Sequence, residues 1–128
     1  MRVVISASSD LAAIGNNAFS GCSALENFYV PEGMTDLGDN VFNNCGALEE
    51  FTVASGNTAY RAENGHLIEN ETDMLIRAGH NAVVPESVAA IGQAAFRRIS
   101  GITELYIPVT VHRIEAELTA DCGANMHK

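Results

Sequence analysis

One phrase recurs along this chain at a fixed spacing. Ile14-Gly15-Asn16-Asn17-Ala18-Phe19-Ser20-Gly21-Cys22 returns as Leu37-Gly38-Asp39-Asn40-Val41-Phe42-Asn43-Asn44-Cys45. It returns again as Ile91-Gly92-Gln93-Ala94-Ala95-Phe96 and decays into Ile114-Glu115 with Leu118 and Cys122. Gly15 to Gly38 is 23 residues, Gly38 to Gly92 is 54, and Gly92 to Glu115 is 23. A 23-residue period interrupted by one 31-residue unit describes a solenoid, because a unit so short cannot bury its apolar face without neighbours. Solenoids present elongated surfaces, and most of them work by binding.

A second register lies between the repeats of the first. Leu25-x-x-Phe28-x-Val30 matches Leu48-x-x-Phe51-x-Val53 and Ile102-x-x-Leu105-x-Ile107. This is the strand pattern of a leucine-rich repeat. In a strand, alternate residues share a side, so Phe28 and Val30 point inward and Tyr29 faces solvent. Proline closes the strand at Val30-Pro31, Val84-Pro85 and Ile107-Pro108, where a missing N–H matters least. Met34, Leu37, Val41 and Phe42 supply a second set of inward anchors, matched by Val88, Ile91, Ala95 and Phe96. The glycine after the aliphatic anchor marks an unusual backbone angle or a close approach between coils. Asn16 to Ser23 is long enough for one or two helical turns and no more.

The combined pattern, Pro-x-x-Val-x-x-Ile-Gly-x-x-Ala-Phe-x-x-Cys-x-x-Leu-x-x-Leu-x-Ile, resembles the BspA-type leucine-rich repeat family from about Ile5 to Cys122. The resemblance implies an α/β leucine-rich repeat solenoid of short strands joined by short helical turns, a right-handed superhelix of about five coils. Residues 1–128 then form one domain, or a fragment of a longer array. The stretch from about 54 to 84 is similar to the family's longer repeat variant, with an Asn-x-x-Tyr at Asn57 and an Asx-Gly turn at Asn64-Gly65. By its own pattern, apolar His66 to Ile68, polar Glu69 to Asp73 and apolar Met74 to Ile76 predict a hairpin that protrudes from or thickens the coil. The family also implies bacterial or protist surface proteins engaged in adhesion and host contact, and hence an extracellular or cell-surface location.

Composition excludes several functions. Seven basic against sixteen acidic residues leave a net charge of -9, which repels phosphate backbones and anionic lipid heads, so nucleic acid is not an expected partner. No apolar run reaches the eighteen or so residues of a membrane span, so membrane insertion is not expected either. The apolar stretch at Val3-Val4-Ile5 is too short for a signal-peptide core. The chain is thus either cytoplasmic or a piece whose export signal lies elsewhere. Cys22, Cys45 and Cys122 share one repeat position, which predicts a reduced, buried ladder of compact side chains. Paired C-x2-C spacings for zinc are missing, and Asp10, Asp36 and Asp39 do not form a D-x-D-x-D calcium loop.

The chemistry of catalysis finds no foothold. His66, His80, His112 and His127 are scattered, with no i, i+4 pair and no adjoining nucleophile elbow. The glycines follow the repeat and not a phosphate-loop spacing. Neither a cofactor, a metal nor an enzymatic activity is expected. Asn70-Glu71-Thr72 is a glycosylation sequon at the hairpin tip, which matters only in a eukaryotic export pathway. The strand-face positions carry more. Ser6, Tyr29, Thr52, Val83 and Tyr106 occupy the outward middle position, one per coil, and stacking sets neighbouring ones about 4.8 Å apart. Glu26, Glu49, Glu50 and Glu104 run beside them. Tyr29, Thr52, Tyr106, Glu26, Glu49, Glu50 and Glu104 form the candidate partner-binding face, since tyrosine joins rigid apolar area to a polar tip. Strand propensity alone also selects Tyr, Thr and Val at exposed strand positions. Two readings follow: a non-enzymatic module that binds a protein or host-derived glycan by this face, and a structural spacer with no site of its own. End-to-end self-association is a further expectation, because the degenerate terminal units cap the stack poorly.

Overall fold

The two repeating registers become two parallel ladders, each joining residues that lie one period apart. The computed structural model describes residues 3–6, 9–80, 83–92, 95–96 and 104–115, and the backbone of 125–127. Within them run β1 (Ala13–Ile14), β2 (Asn27–Val30), β3 (Asp36–Leu37), β4 (Glu50–Val53), β5 (Tyr60–Glu63), β6 (His66–Glu69), β7 (Met74–Arg77), β8 (Ala90–Ile91), β9 (Glu104–Tyr106), β10 (Arg113–Ile114) and β11 (Asn125–His127). β1 pairs with β3, β2 with β4 and β8 with β10, all parallel, with Ile14 opposite Leu37, Phe28 opposite Phe51 and Ile91 opposite Ile114. Leu25, Phe28, Val30, Leu48 and Phe51 are buried as the alternation requires.

The expected helical turns do not form among the described residues, so the α/β assignment is corrected to an all-β coil there. The backbone explains why. Asn17 and Asn40, one period apart, have φ of 61° and 57°, and the next such pair, Gly21 and Asn44, have 81° and 63°. A left-handed residue every four positions breaks a right-handed helix before it completes a second turn. The N–H groups of Asn17, Phe19 and Gly21 instead cross to the carbonyls of Asp39, Val41 and Asn43 at 3.0, 3.1 and 2.8 Å. Those of Ala18, Ser20 and Cys22 fold back on the carbonyl three residues earlier. Every second donor thus holds the next coil. At Gly38 the glycine after the aliphatic anchor serves close approach: a Cβ there would collide with the backbone of Gly15 and Asn16.

The long unit runs differently. Asn64 and Gly65, with φ of 54° and 79°, make the two-residue turn that a tight hairpin needs. They join β5 to β6, which pairs antiparallel with β7, and β7 returns to the parallel ladder beside β8. The predicted hairpin between Gly65 and Arg77 therefore exists, but it does not project. His66, Leu67 and Ile68 are all fully buried, with Leu67 packed in a core of the first coils and Ile68 in a core of the later ones. A strand buried on both faces reads as an unbroken apolar run, and His66-Leu67-Ile68 is that run. β6 is the wall between two cores.

That wall redirects the aromatic stack. Phe19 and Phe42 stack in parallel at 6.1 Å, and Phe28 and Phe51 meet Phe42 edge-on at 5.0 Å each. Phe96 does not join them as the period predicts, but packs on the His66 ring at 5.9 Å across the long unit. Phe19 is half-buried, since it lies on the outermost of these coils. The Arg77 side chain, 3% exposed, spans the two blocks, donating to Cys45 O at 3.2 Å and to Ala95 O at 3.4 Å. Asn57 is another buried polar hinge. Its Nδ2 donates to Pro31 O and Met34 O at 2.9 and 2.8 Å, and its Oδ1 accepts from the N–H groups of Ala59 and Tyr60.

The cysteine ladder forms in part. Cys45 is fully buried and its thiol donates to Phe19 O at 3.2 Å. Burial pushes the Cys45 thiol pKa up, against a weaker pull from the Cys22 backbone and the Arg77 charge. Cys22 is half-buried, because the coil on its outer side covers it incompletely, and Cys122 lies outside the described residues. In a Cys122→Ser background, thiol titration of the native protein should find Cys45 unreactive until denaturation and Cys22 labelled well before it. Equally fast labelling of both would contradict this packing.

Candidate functional site

Parallel pairing of β2 with β4 sets Tyr29 beside Thr52 and Asn27 beside Glu50. The ladder extends at both ends, with Glu49 N–H on Glu26 O at 2.7 Å and Ala54 N–H on Val30 O at 2.9 Å. Glu26, Glu49, Glu50 and Thr52 are exposed and Tyr29 is half-buried. This is the first half of the expected face, formed as the spacing predicts.

The second half is displaced from it. Val83 pairs with Tyr106 through a parallel bridge, and β11 follows beside β9. Val83 and Tyr106 are 54% and 52% exposed, side by side. The Tyr106 hydroxyl donates to Glu104 Oε2 at 2.6 Å, and this hydrogen bond to the neighbouring carboxylate raises the phenol pKa. Glu104 is thus spent in orienting Tyr106.

Between the halves lies the β5–β6 turn. Phe51 N–H donates to Gly65 O at 2.9 Å, and the His66 ring reaches Val83 O through Nε2 at 3.0 Å while Nδ1 accepts from Gly79 N–H at 3.0 Å. The Asn64 amide also reaches toward Val83 O. The five middle residues therefore do not make one row. Tyr29 and Thr52 stand on one side of Asn64–His66, Val83 and Tyr106 on the other, and Ser6 is exposed near the chain start. Sequence reasoning named Val83 in the row but left it out of the site. Its neighbour Tyr106 was the signal, since both fall at the outward position of adjacent coils.

The joint is sensitive to acid. Acceptance by Nδ1 puts the His66 proton on Nε2, so the neutral ring satisfies both neighbours. Burial lowers the His66 pKa from its usual 6.5, against a smaller upward pull from Val83 O. The folded form then holds its proton less tightly than the unfolded chain. Its contribution to stability is full above about pH 6.5 and is lost as pH falls below it toward the depressed value. Urea midpoints measured from pH 7 to pH 5 should fall for the native sequence and fall less for His66→Gln. Parallel curves would contradict the assignment.

Among the described residues no cluster of three His, Cys, Asp or Glu side chains is placed to hold a metal ion, and no helix is long and apolar enough to cross a membrane. The model for the BspA-type leucine rich repeat region matches residues 3–64 and 78–127, in six copies. This chain belongs to the BspA-type leucine-rich repeat family. The unmatched residues are those of β6 and β7 with their turns, the part that departs from a regular coil. Among solved structures it is similar to a leucine rich cell surface protein from Faecalibacterium prausnitzii, 26% identical over 91% of this chain and 32% of that one, with a TM-score of 0.77. It shares the fold of the pneumococcal vaccine antigen PcpA, 23% identical over 85% of this chain and 28% of that one, TM-score 0.73. The fold recurs in a leucine-rich repeat protein from Eubacterium ventriosum, 18% identical over 81% and 37% of the two chains, TM-score 0.62. The chain spans about a third of the length of each. No curated protein sequence matches it significantly.

Proposed function

We propose that this leucine-rich repeat chain is a non-enzymatic binding module, displayed at a cell surface, that holds a protein or glycan partner on its strand face. The observation that carries this reading is the Val83–Tyr106 pair, about half exposed on a regular ladder. A tyrosine held rigid on a regular ladder is the kind of side chain that interface hot spots are built from. Tyr29 and Thr52 add a second contact area, and Glu26, Glu49, Glu50 and Glu104 surround the two with negative charge. A basic or hydroxyl-rich ligand complements that rim. The names of the structural relatives, a cell surface protein and a vaccine antigen, agree with a surface location. On this reading one partner contacts both areas across the turn at Asn64–His66.

The test is Tyr29→Ala combined with Tyr106→Ala, assayed against an array of host matrix proteins and glycans. Neither side chain belongs to a core, so the double variant should fold with an unchanged melting temperature. Binding seen with the native chain should weaken by about tenfold or more, given losses of 1–2 kcal/mol for contact tyrosines. Unchanged binding by the folded double variant would remove the strand face from the site and favour a spacer.

A further inference from the structure

Where the long unit replaces a regular coil, one row of backbone donors has lost its acceptors. Asn17, Phe19 and Gly21 donate to Asp39, Val41 and Asn43 of the next coil. The same repeat positions one period on are Asn40, Phe42 and Asn44. The coil that follows has no segment to receive them, because β5, β6 and β7 occupy its residues. Among the described residues no acceptor meets the N–H groups of Asn40, Phe42 or Asn44. Arg77 bridges part of the gap through Cys45 O and Ala95 O. The rest is open: a cavity of about 410 Å³ lined by Asp39, Asn40, Phe42, Tyr60, Met74 and Ile76.

Asn40 and Phe42 stand two residues apart, and in the preceding coil that spacing meets carbonyls two residues apart. The segment that supplies those carbonyls, Asp39 to Asn43, is a run of turns with Asn40 left-handed. The volume lies in the range of ligand pockets, and on its wall Asp39 and Glu69 outnumber Arg77, a balance that favours a basic side chain.

We propose that this cavity receives a basic, turn-forming segment of a partner protein. The segment takes the place of the missing coil, its carbonyls accepting from the Asn40 and Phe42 N–H groups. Its affinity comes from main-chain pairing at an open edge and its selectivity from the Tyr60, Met74 and Ile76 wall. None of the residues of the strand-face site lines this cavity, so the two proposals stand or fall separately.

The probe is a capped synthetic peptide of the sequence from Leu37 to Asn44 with Asp39→Lys, since that segment is what meets the corresponding donors of the first coil. It is titrated into the full 15N-labelled chain and followed by amide shifts and hydrogen exchange. Saturable shifts should centre on Asn40 and Phe42, with exchange at these two amides slowed about tenfold or more. A scrambled peptide should leave them unmoved. Ile76→Trp, which fills the cavity, should abolish the effect, and the Tyr29→Ala, Tyr106→Ala double variant should keep it. If Ile76→Trp fails to fold, Glu69→Lys reverses a wall charge and should weaken the probe about tenfold. No saturable change with millimolar probe, or shifts confined to residues 27–30 and 50–53, would overturn the proposal.

Discussion

Asn57→Ala should destabilise the fold by about 3–5 kcal/mol, although the side chain it removes is small and polar. The substitution leaves three backbone groups without their partner, the carbonyl of Met34 and the N–H groups of Ala59 and Tyr60, while Pro31 O keeps the Met34 N–H at 3.2 Å. Each buried orphan costs about 1–3 kcal/mol, less what water recovers. The residue is 8% exposed, so little water reaches it. The same side chain ties the second coil to the start of the long unit, so the loss falls on the joint between them. Chemical denaturation should show a lower urea midpoint at unchanged slope, while Thr58→Ala, at the exposed neighbour, should stay within about 0.5 kcal/mol of the native chain. A loss under 1 kcal/mol for Asn57→Ala would show that these bonds are replaced by solvent.

Phe42→Ala should cost a comparable amount, about 3–5 kcal/mol, by a different route. Phe42 is 3% exposed and touches the rings of Phe19, Phe28 and Phe51. Truncation leaves a void among rings that are held by three separate coils and cannot collapse together. Phe19→Ala removes the same side chain from the same repeat position one coil earlier, where it is half-buried. Its loss should be markedly smaller. Equal losses at the two positions would mean that the stack does not weaken toward its outer end. The comparison separates burial from residue type, which a single substitution cannot do.

How far the fold was legible follows from what a period can and cannot encode. Repetition placed Phe28 opposite Phe51 and Tyr29 opposite Thr52 without any structure, because residues one period apart have to be neighbours in a stacked coil. Alternation gave the inward and outward sides of those strands. The turn from Asn16 to Ser23 was misread as helical because its length allows a helix, while the left-handed backbone of Asn17 and Gly21 that forbids one shows in sequence as no more than an asparagine and a glycine. Asn does tolerate that region better than most residues, so the recurring asparagines were the available signal. The long unit was legible as a hairpin but not as a wall. That β6 is buried on both sides depends on where β7 and β8 return, a long-range fact that local pattern does not carry. For the same reason the buried roles of His66 and Arg77 went unseen: each looks like a surface residue until a second coil closes over it.

The candidate site was legible by position and not by continuity. Tyr29, Thr52 and Tyr106 all face outward as their register demands, but the turn at Asn64-Gly65 stands between them because the long unit folds back at that level. The interruption joins the stability of the long unit to the geometry of the face. His66 holds Val83 O in place, and Val83 carries Tyr106 beside it, so loosening the His66 contacts should disturb the second contact area before the first.

The central claim is that one partner spans both halves of the strand face. Hydrogen exchange read by mass spectrometry, on the free chain and on its complex with a partner taken from the matrix-protein and glycan array, tests it most directly. The account predicts slowed exchange in peptides covering residues 26–30, 49–53 and 104–106 together, with those covering 14–22 unchanged. Protection on one half alone, or confined to the turns that carry Asn17 and Gly21, would contradict it.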